Sequence, residues 1–177
     1  MDIIKDKKPL LVSVLIPVFN GELLRIKDAL DSIRNQSHDN LECILIDDSN
    51  DTDISASLKS YCELDIRFVY VGRYMNDGLG AALNYGLSFC KGKYIARMDA
   101  DDISVIDRIK IQLKFFESNP NIDIVGSNMA IIDSNNNIFG MKKYNLDHNS
   151  IMRHFTYQNA IGHPSVMFRR KILDAGE

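Results

Sequence analysis

Five aspartates stand where short apolar runs give out. Asp47-Asp48 follow Leu41-Glu-Cys-Ile-Leu-Ile46, and Asp99-Ala100-Asp101-Asp102 follow Tyr94-Ile-Ala-Arg-Met98. Grouped like charges repel unless something offsets them, and a divalent cation does so directly. Acids at alternate positions, Asp99 and Asp101, on a turn leaving a strand suit Mg2+ or Mn2+. Such a cation keeps several waters and takes its other oxygens from phosphate. The alternative is that these acids serve the next helix, with Asp102 as a cap. Asp48 can accept the N3–H of a uracil or a pair of ribose hydroxyls, or it can simply form the turn in Asp-Asp-Ser-Asn. Gly78-Leu-Gly80, opening a helix, can face phosphate oxygens or serve a tight turn. Arg73 and Arg97 are the basic residues nearest this edge, and Arg97, inside a strand, can neutralise the acids around it.

Elements that alternate along the chain must position these residues. Leu11-Val-Ser-Val-Leu-Ile-Pro-Val-Phe19 reads as a strand buried on both faces, which favours a parallel sheet. Leu23, Ile26, Leu30 and Ile33 recur at helical spacing. A second strand covers 41–46, a short helix 54–61 and a third strand 66–71. The cleanest amphipathic stripe is Leu79, Ala82, Leu83, Gly86, Leu87 and Cys90. A fourth strand over 94–98 runs into the acidic turn. A helix through Ile109, Leu113 and Phe116 follows, then a fifth strand over 122–126. Asp133-Ser-Asn-Asn-Asn137 predicts a hairpin tip, 149–155 a helix, 165–168 a strand and 170–174 a helix meeting a glycine stop at Gly176. The alternation predicts an α/β fold, an open and mainly parallel sheet with right-handed crossovers. Its ligand crevice lies outside the carboxyl ends of the strands, where the aspartates stand.

The chain of 177 residues is 45% hydrophobic and 25% charged, enough apolar mass for a core and too little bias for a disordered or coiled-coil chain. A net charge of −3 argues against nucleic acid as the main partner. No apolar run approaches the roughly 20 residues of a membrane-spanning helix, and Ser13 and Pro17 break the only stretch placed like a signal-peptide core. Cys43, Cys62 and Cys90 have no paired spacing and read as reduced residues of a cytoplasmic protein.

In order, Ser13-Val-Leu-Ile-Pro-Val-Phe-Asn20, Ile46-Asp-Asp48, Asn76-Asp-Gly78 and Gly92-Lys-Tyr-Ile-Ala-Arg-Met-Asp-Ala-Asp-Asp102 resemble the family 2 glycosyltransferases of GT-A fold. With His163-Pro-Ser-Val-Met-Phe-Arg169, the chain is most similar to the bacterial branch that builds O-antigen, capsule and exopolysaccharide. The resemblance runs from about residue 10 to 177. It implies inverting transfer of a sugar from a nucleotide donor, usually a UDP-sugar, to a saccharide or lipid-linked saccharide acceptor. Asp48 would match the base-binding aspartate, Asp101 the metal-ligating acid, and Asp99 a ribose contact or water-mediated aid to the metal. Pro17 and Phe19 would line the base pocket, and Asn20, Asn76, Gly78, Asn84 and Ala100 complete the donor set. His163 would sit on the acceptor side near metal and diphosphate, or be a satisfied structural group. The expected division is an extension over 1–9, a donor-binding half over 10–127 and the start of an acceptor-side half over 128–177.

Two departures stand out. A proline that usually follows the acidic motif is Ile106 here, which would alter a helix start. The catalytic aspartate of a Glu-Asp pair, expected shortly after the His163 segment, is absent, since no Glu-Asp pair occurs in the sequence. The base is therefore expected beyond Glu177, and this chain is expected to bind donor and transfer poorly or not at all. Of the other readings, a non-catalytic nucleotide-sugar binding module shares these features. A receiver domain would need an acid pair where Phe19-Asn20 stands, and a sugar nucleotidyltransferase a glycine- and arginine-rich loop where Asn20-Gly21-Glu22 stands. Lys142-Lys143 and Arg169-Arg170-Lys171 read as basic faces. A lipid-linked acceptor would put the intact enzyme at the inner face of the membrane. Sugar, acceptor and oligomeric state have no sequence signal.

Overall fold

A computed structural model describes residues 10–174. In chain order the elements are β1 (Val12–Val18), α1 (Leu23–Arg34), β2 (Leu41–Asp47), α2 (Thr52–Glu63), β3 (Phe68–Gly72), α3 (Leu79–Leu87) and β4 (Tyr94–Arg97). There follow α4 (Arg108–Ser118), β5 (Ile124–Val125), β6 (Met129–Ile132), β7 (Ile138–Lys142), α5 (His148–Phe155), a 3-10 turn (His163–Ser165), β8 (Met167–Arg169) and α6 (Lys171–Asp174). The expected glycine stop at Gly176 and the extension over 1–9 lie outside the described residues.

Six strands form one sheet in the order β3-β2-β1-β4-β8-β5. The pairs β1–β2, β2–β3 and β1–β4 are parallel, and β8 runs antiparallel to β4 and β5. The chain steps outward from β1 to β3, then returns through α3 to place β4 on the other side of β1. That reversal makes the carboxyl ends of β1 and β4 the switch point where an α/β sheet opens a crevice.

Both faces of the inner strands are covered, which is why they read as unbroken apolar runs. Val12, Val14, Ile16 and Val18 point to one face with Ile26, Leu30 and Ile33 of α1, Leu58 of α2, and Ile109 and Phe116 of α4. Leu15, Ile44, Ile46 and Ile95 point to the other, against Ala82 of α3 and Cys90. Each fully buried side chain of this kind contributes about 1.5–3 kcal/mol. Gly86 lets α3 lie close to the sheet, because a Cβ there would stand 2.5 Å from Leu15 Cδ1 and 2.8 Å from Ile46 Cγ1.

Several expectations need adjustment. The fifth strand pairs over two residues only, with Met167 and Phe168 of β8. Ser127 N then donates to Ser165 Oγ at 2.9 Å and draws the chain out of the sheet. Leu23 and Leu79 keep their helical register but are 40% and 47% exposed, because the first turns of α1 and α3 overhang the sheet edge. Cys90 lies past the end of α3 and is still buried. The hairpin tip holds: β6 and β7 pair antiparallel around Asp133, whose carboxylate accepts from the N–H groups of Asn135 and Asn137. Arg169 is a clamp and not part of a basic face. Its guanidinium donates to the carbonyls of Ile122 and Phe116 and to Tyr94 Oη, tying β8 to α4 and β4.

Candidate active site

A cleft of about 490 Å3 opens over the carboxyl ends of β1 to β4. Each strand contributes the residues just past its end: Phe19 to Glu22 after β1, Asp48 after β2, Asn76 and Gly78 after β3, and Asp99 to Asp101 after β4. Pro17 and Ala82 line it from below, and Leu79 from the start of α3. Glu22 and Arg25 pair across its rim at 3.3 Å.

The two acids ending β2 have different fates. Asp47 is fully buried. One oxygen accepts from Ser49 N (3.1 Å) and Ser49 Oγ (2.7 Å), the other from Ser55 Oγ and from Tyr70 Oη (2.7 Å). It joins β2, α2 and β3 and does not line the cleft. Asp48 does line it, with its side chain 5% exposed. Arg73 Nη1 donates to both Asp48 oxygens at 3.1 and 2.9 Å, and Oδ1 also accepts from Met75 N and Asn76 N at 3.0 Å each. Oδ2 faces fewer donors and keeps acceptor capacity. The Arg73 guanidinium also pairs with Asp77 and lies 5.9 Å from the Tyr85 ring centroid. This clamp holds the β3–α3 loop through three positive-φ residues, Tyr74 (55°), Asn76 (49°) and Gly78 (100°). For Tyr74 and Asn76 that conformation costs about 1–3 kcal/mol each, and the Asp48 hydrogen bonds offset it.

The acidic turn after β4 divides its three aspartates. Asp99 pairs with Arg97, whose guanidinium is buried beneath the turn. Asp101 is exposed, lines the cleft and has no hydrogen bond or ion pair among the described residues. Asp102 turns away into a second cavity of about 350 Å3 beside Arg108. Burial pushes the Asp102 carboxyl up, helped by the charges of Asp99 and Asp101. Burial also lowers Arg108 to about 10, and its Nη2 donates to Arg97 O at 2.7 Å. Asp102 does not cap α4, whose N-cap is Asp107, five residues further on. Partial desolvation and then the Arg97 charge lower the pKa of His163, with Asp99 acting in the opposite sense.

Of the residues singled out in the sequence, Pro17, Phe19, Asn20, Asp48, Asn76, Gly78, Asp99, Ala100 and Asp101 are brought together around one cleft. Asn84 and His163 are not. Asn84 is exposed on α3, about 200° around the helix from the cleft-facing Ala82. His163 is exposed in the 3-10 turn beyond the acidic turn. Of the five aspartates expected to converge, three reach the cleft. Two supporting residues carried no clear sequence signal. Gln36 is buried and donates to Ser32 O and Val105 O while accepting from Ile109 N, which fixes the path leaving the acidic turn. Glu22 had only its position after the β1 turn to mark it.

A profile described as Glycosyl transferase family 2 matches residues 13–175. An uncharacterized glycosyltransferase of Methanocaldococcus jannaschii is 35% identical over 170 residues, covering 94% of this chain and 58% of its own length. The O-antigen biosynthesis glycosyltransferase WbnJ of Escherichia coli is 32% identical over 164 residues, covering 92% of this chain and 63% of its own. The chain thus spans less than two thirds of the length of these relatives. Among solved structures, S. aureus TarS in complex with UDP-GlcNAc aligns with a TM-score of 0.75 at 19% identity, over 94% of this chain and 47% of that one. The mannosyltransferase PcManGT of Pyrobaculum calidifontis, in complex with GDP-Man and Mn2+, aligns with a TM-score of 0.68 at 18% identity, over 93% and 46%. Those likenesses show the GT-A fold, with its mainly parallel sheet flanked by helices. Family profile, relatives and fold agree, and the chain belongs to the family 2 glycosyltransferases, in the branch that includes O-antigen biosynthesis enzymes.

Proposed function

We propose that the cleft binds a nucleotide-sugar donor, with UDP as its nucleotide, and that the intact enzyme transfers the sugar with inversion to a saccharide or lipid-linked saccharide during cell-surface polysaccharide synthesis. One observation carries this reading: at the switch point a buried, anchored carboxylate (Asp48) and an exposed, unpartnered one (Asp101) line the same cleft. Asp48 keeps an acceptor position on Oδ2 for a base N–H, with Pro17 and Phe19 beside it. Asn20, Asn76, Gly78 and Ala100 line the space between base and diphosphate. TarS with UDP-GlcNAc and PcManGT with GDP-Man and Mn2+ support a nucleotide-sugar ligand and a divalent metal.

The donor set fits Mg2+ or Mn2+. Asp101 offers hard oxygens, Asp99 two residues before it is paired with Arg97, and no cluster of three or more His, Cys, Asp or Glu side chains is found among the described residues. A cation here would take the rest of its shell from diphosphate and water. When bound, it supplies positive charge that stabilises the departing diphosphate. The chain's own part is to hold base and ribose from Asp48 and Asp99 and to fix the acidic turn through Gln36 and Arg97. None of the cleft aspartates is left over as a general base, so we place that group outside the cleft described here. We place His163 toward the acceptor side, in contact with the acceptor hydroxyl. No described helix is long and apolar enough to cross a membrane, and we place the enzyme in the cytoplasm, at the inner membrane face if its acceptor is lipid-linked.

Calorimetric titration of UDP with and without Mn2+ tests the reading. Metal-dependent binding that is lost in Asp101→Ala is expected. Failure of the folded protein to bind UDP with Mn2+ present would overturn it.

A further inference from the structure

Arg97 ends β4 with its backbone fixed on both sides. Its N–H donates to Val166 O at 2.8 Å, and its carbonyl accepts from Arg108 Nη2 at 2.7 Å. Its side chain is 5% exposed and pairs with Asp99, while Nε and Nη1 are buried with no hydrogen-bond partner among the described residues. A buried guanidinium with two unsatisfied donors lowers stability, so packing alone does not account for it. Those two nitrogens reach no solvent, which rules out a site for an incoming anion. What the arrangement does accomplish is to make the two cleft acids of the turn unequal. Asp99 is held by a fixed positive charge, and Asp101, two residues on, has no partner among the described residues.

We propose that Arg97 is a positioning residue that withholds Asp99 from the divalent cation, so that Asp101 ligates it and the remaining coordination positions are left to the donor's diphosphate. The proposal rests on the reading of the cleft as a nucleotide and cation site. Its consequence is that free cation binds weakly and nucleotide-bound cation tightly. Metal and nucleotide then favour each other's binding by the same factor. Asp99, which lines the cleft and whose side chain is 37% exposed, stays available to a ribose hydroxyl.

Mn2+ binding to the chain, followed by the electron paramagnetic resonance signal of the unbound ion, tests this without any turnover. For the unaltered protein, Mn2+ affinity is expected to rise at least about tenfold when UDP is added. Equal affinity with and without UDP overturns the proposal, and this arm needs no variant. Arg97→Met, which removes the charge at similar volume, is expected to bind free Mn2+ about tenfold more tightly. Repulsion between a unit charge and a divalent ion about 6 Å apart has that size even at the dielectric of water. Arg97→Lys is expected to restore the original affinity, and Arg97→Met with Asp99→Asn to cancel the gain. A folded Arg97→Met protein with unchanged Mn2+ affinity, or a gain that survives Asp99→Asn, overturns the role of Arg97 while leaving UDP-dependent metal binding intact. Absence of Mn2+ binding with and without UDP overturns the cleft reading itself, and the proposal with it.

Discussion

Replacing Asp48 with Asn isolates the group on which the wall of the cleft depends. The side chain keeps its shape and one oxygen, so the N–H bonds of Met75 and Asn76 can persist. The charge facing Arg73 is lost, and one of the two Arg73 contacts, at 2.9 and 3.1 Å, becomes donor against donor. Arg73 is 7% exposed and is left with Asp77, itself 51% exposed, as its remaining anion. A charge-assisted hydrogen bond contributes about 1.5–3 kcal/mol, and removing one partner of a buried pair costs about 3–5 kcal/mol. The retained Asp77 contact brings the expected loss to about 2–4 kcal/mol. At roughly 2–4 °C per kcal/mol for a domain of this size, the melting temperature should fall by about 5–15 °C. Circular dichroism melts measure that, and hydrogen exchange at Met75 and Asn76 shows whether the strained Tyr74–Asn76 turn opens first. Nucleotide affinity should fall in parallel. A melting temperature within about 2 °C of the original, with unchanged exchange, would refute the assignment of Asp48 as anchor of the loop.

Two further outcomes concern the scaffold. Gly86→Ala should destabilise by about 1–3 kcal/mol, because the added methyl must displace Leu15 and Ile46 on the buried sheet face; urea unfolding without a loss of this order would refute the tight α3 contact. Asp65 is held down to about 2 by hydrogen bonds from Arg67, with Arg34 adding attraction at 3.6 Å. A carboxylate with a depressed folded-state pKa contributes stability that is full above its unfolded pKa and lost as pH falls through the folded one. Asp65→Asn should therefore cost roughly 2 kcal/mol above about pH 5, with the deficit disappearing between about pH 4 and pH 2. A deficit independent of pH would show that packing and not charge accounts for it.

The strand–helix alternation through β4 was legible because each inner strand is buried on both faces and each helix carries a regular apolar stripe. Adjacent strand ends also placed nine of the eleven proposed site residues, since the switch point gathers whatever follows β1 to β4. Chemistry that depends on partners distant in sequence was not legible. Asp47 and Asp48 are neighbours of one type, and only Ser55 and Tyr70 on one side and Arg73 on the other decide which is buried scaffold and which faces the cleft. Asn84 was expected in the donor set, but helical rotation carries it away from the cleft. The clamps made by Gln36 and Arg169 depend on carbonyls from several segments, which no local pattern announces.

In the proposed function the acidic turn after β4 holds a cation for a nucleotide in the cleft. Mn2+ is paramagnetic and broadens the amide resonances of nearby residues, so it reports its own position. With UDP present, the signals of Ala100, Asp101 and Asp102 are expected to vanish first, and Asp101→Asn is expected to restore them. Broadening that leaves this turn untouched, or that is unaffected by Asp101→Asn, would contradict the account.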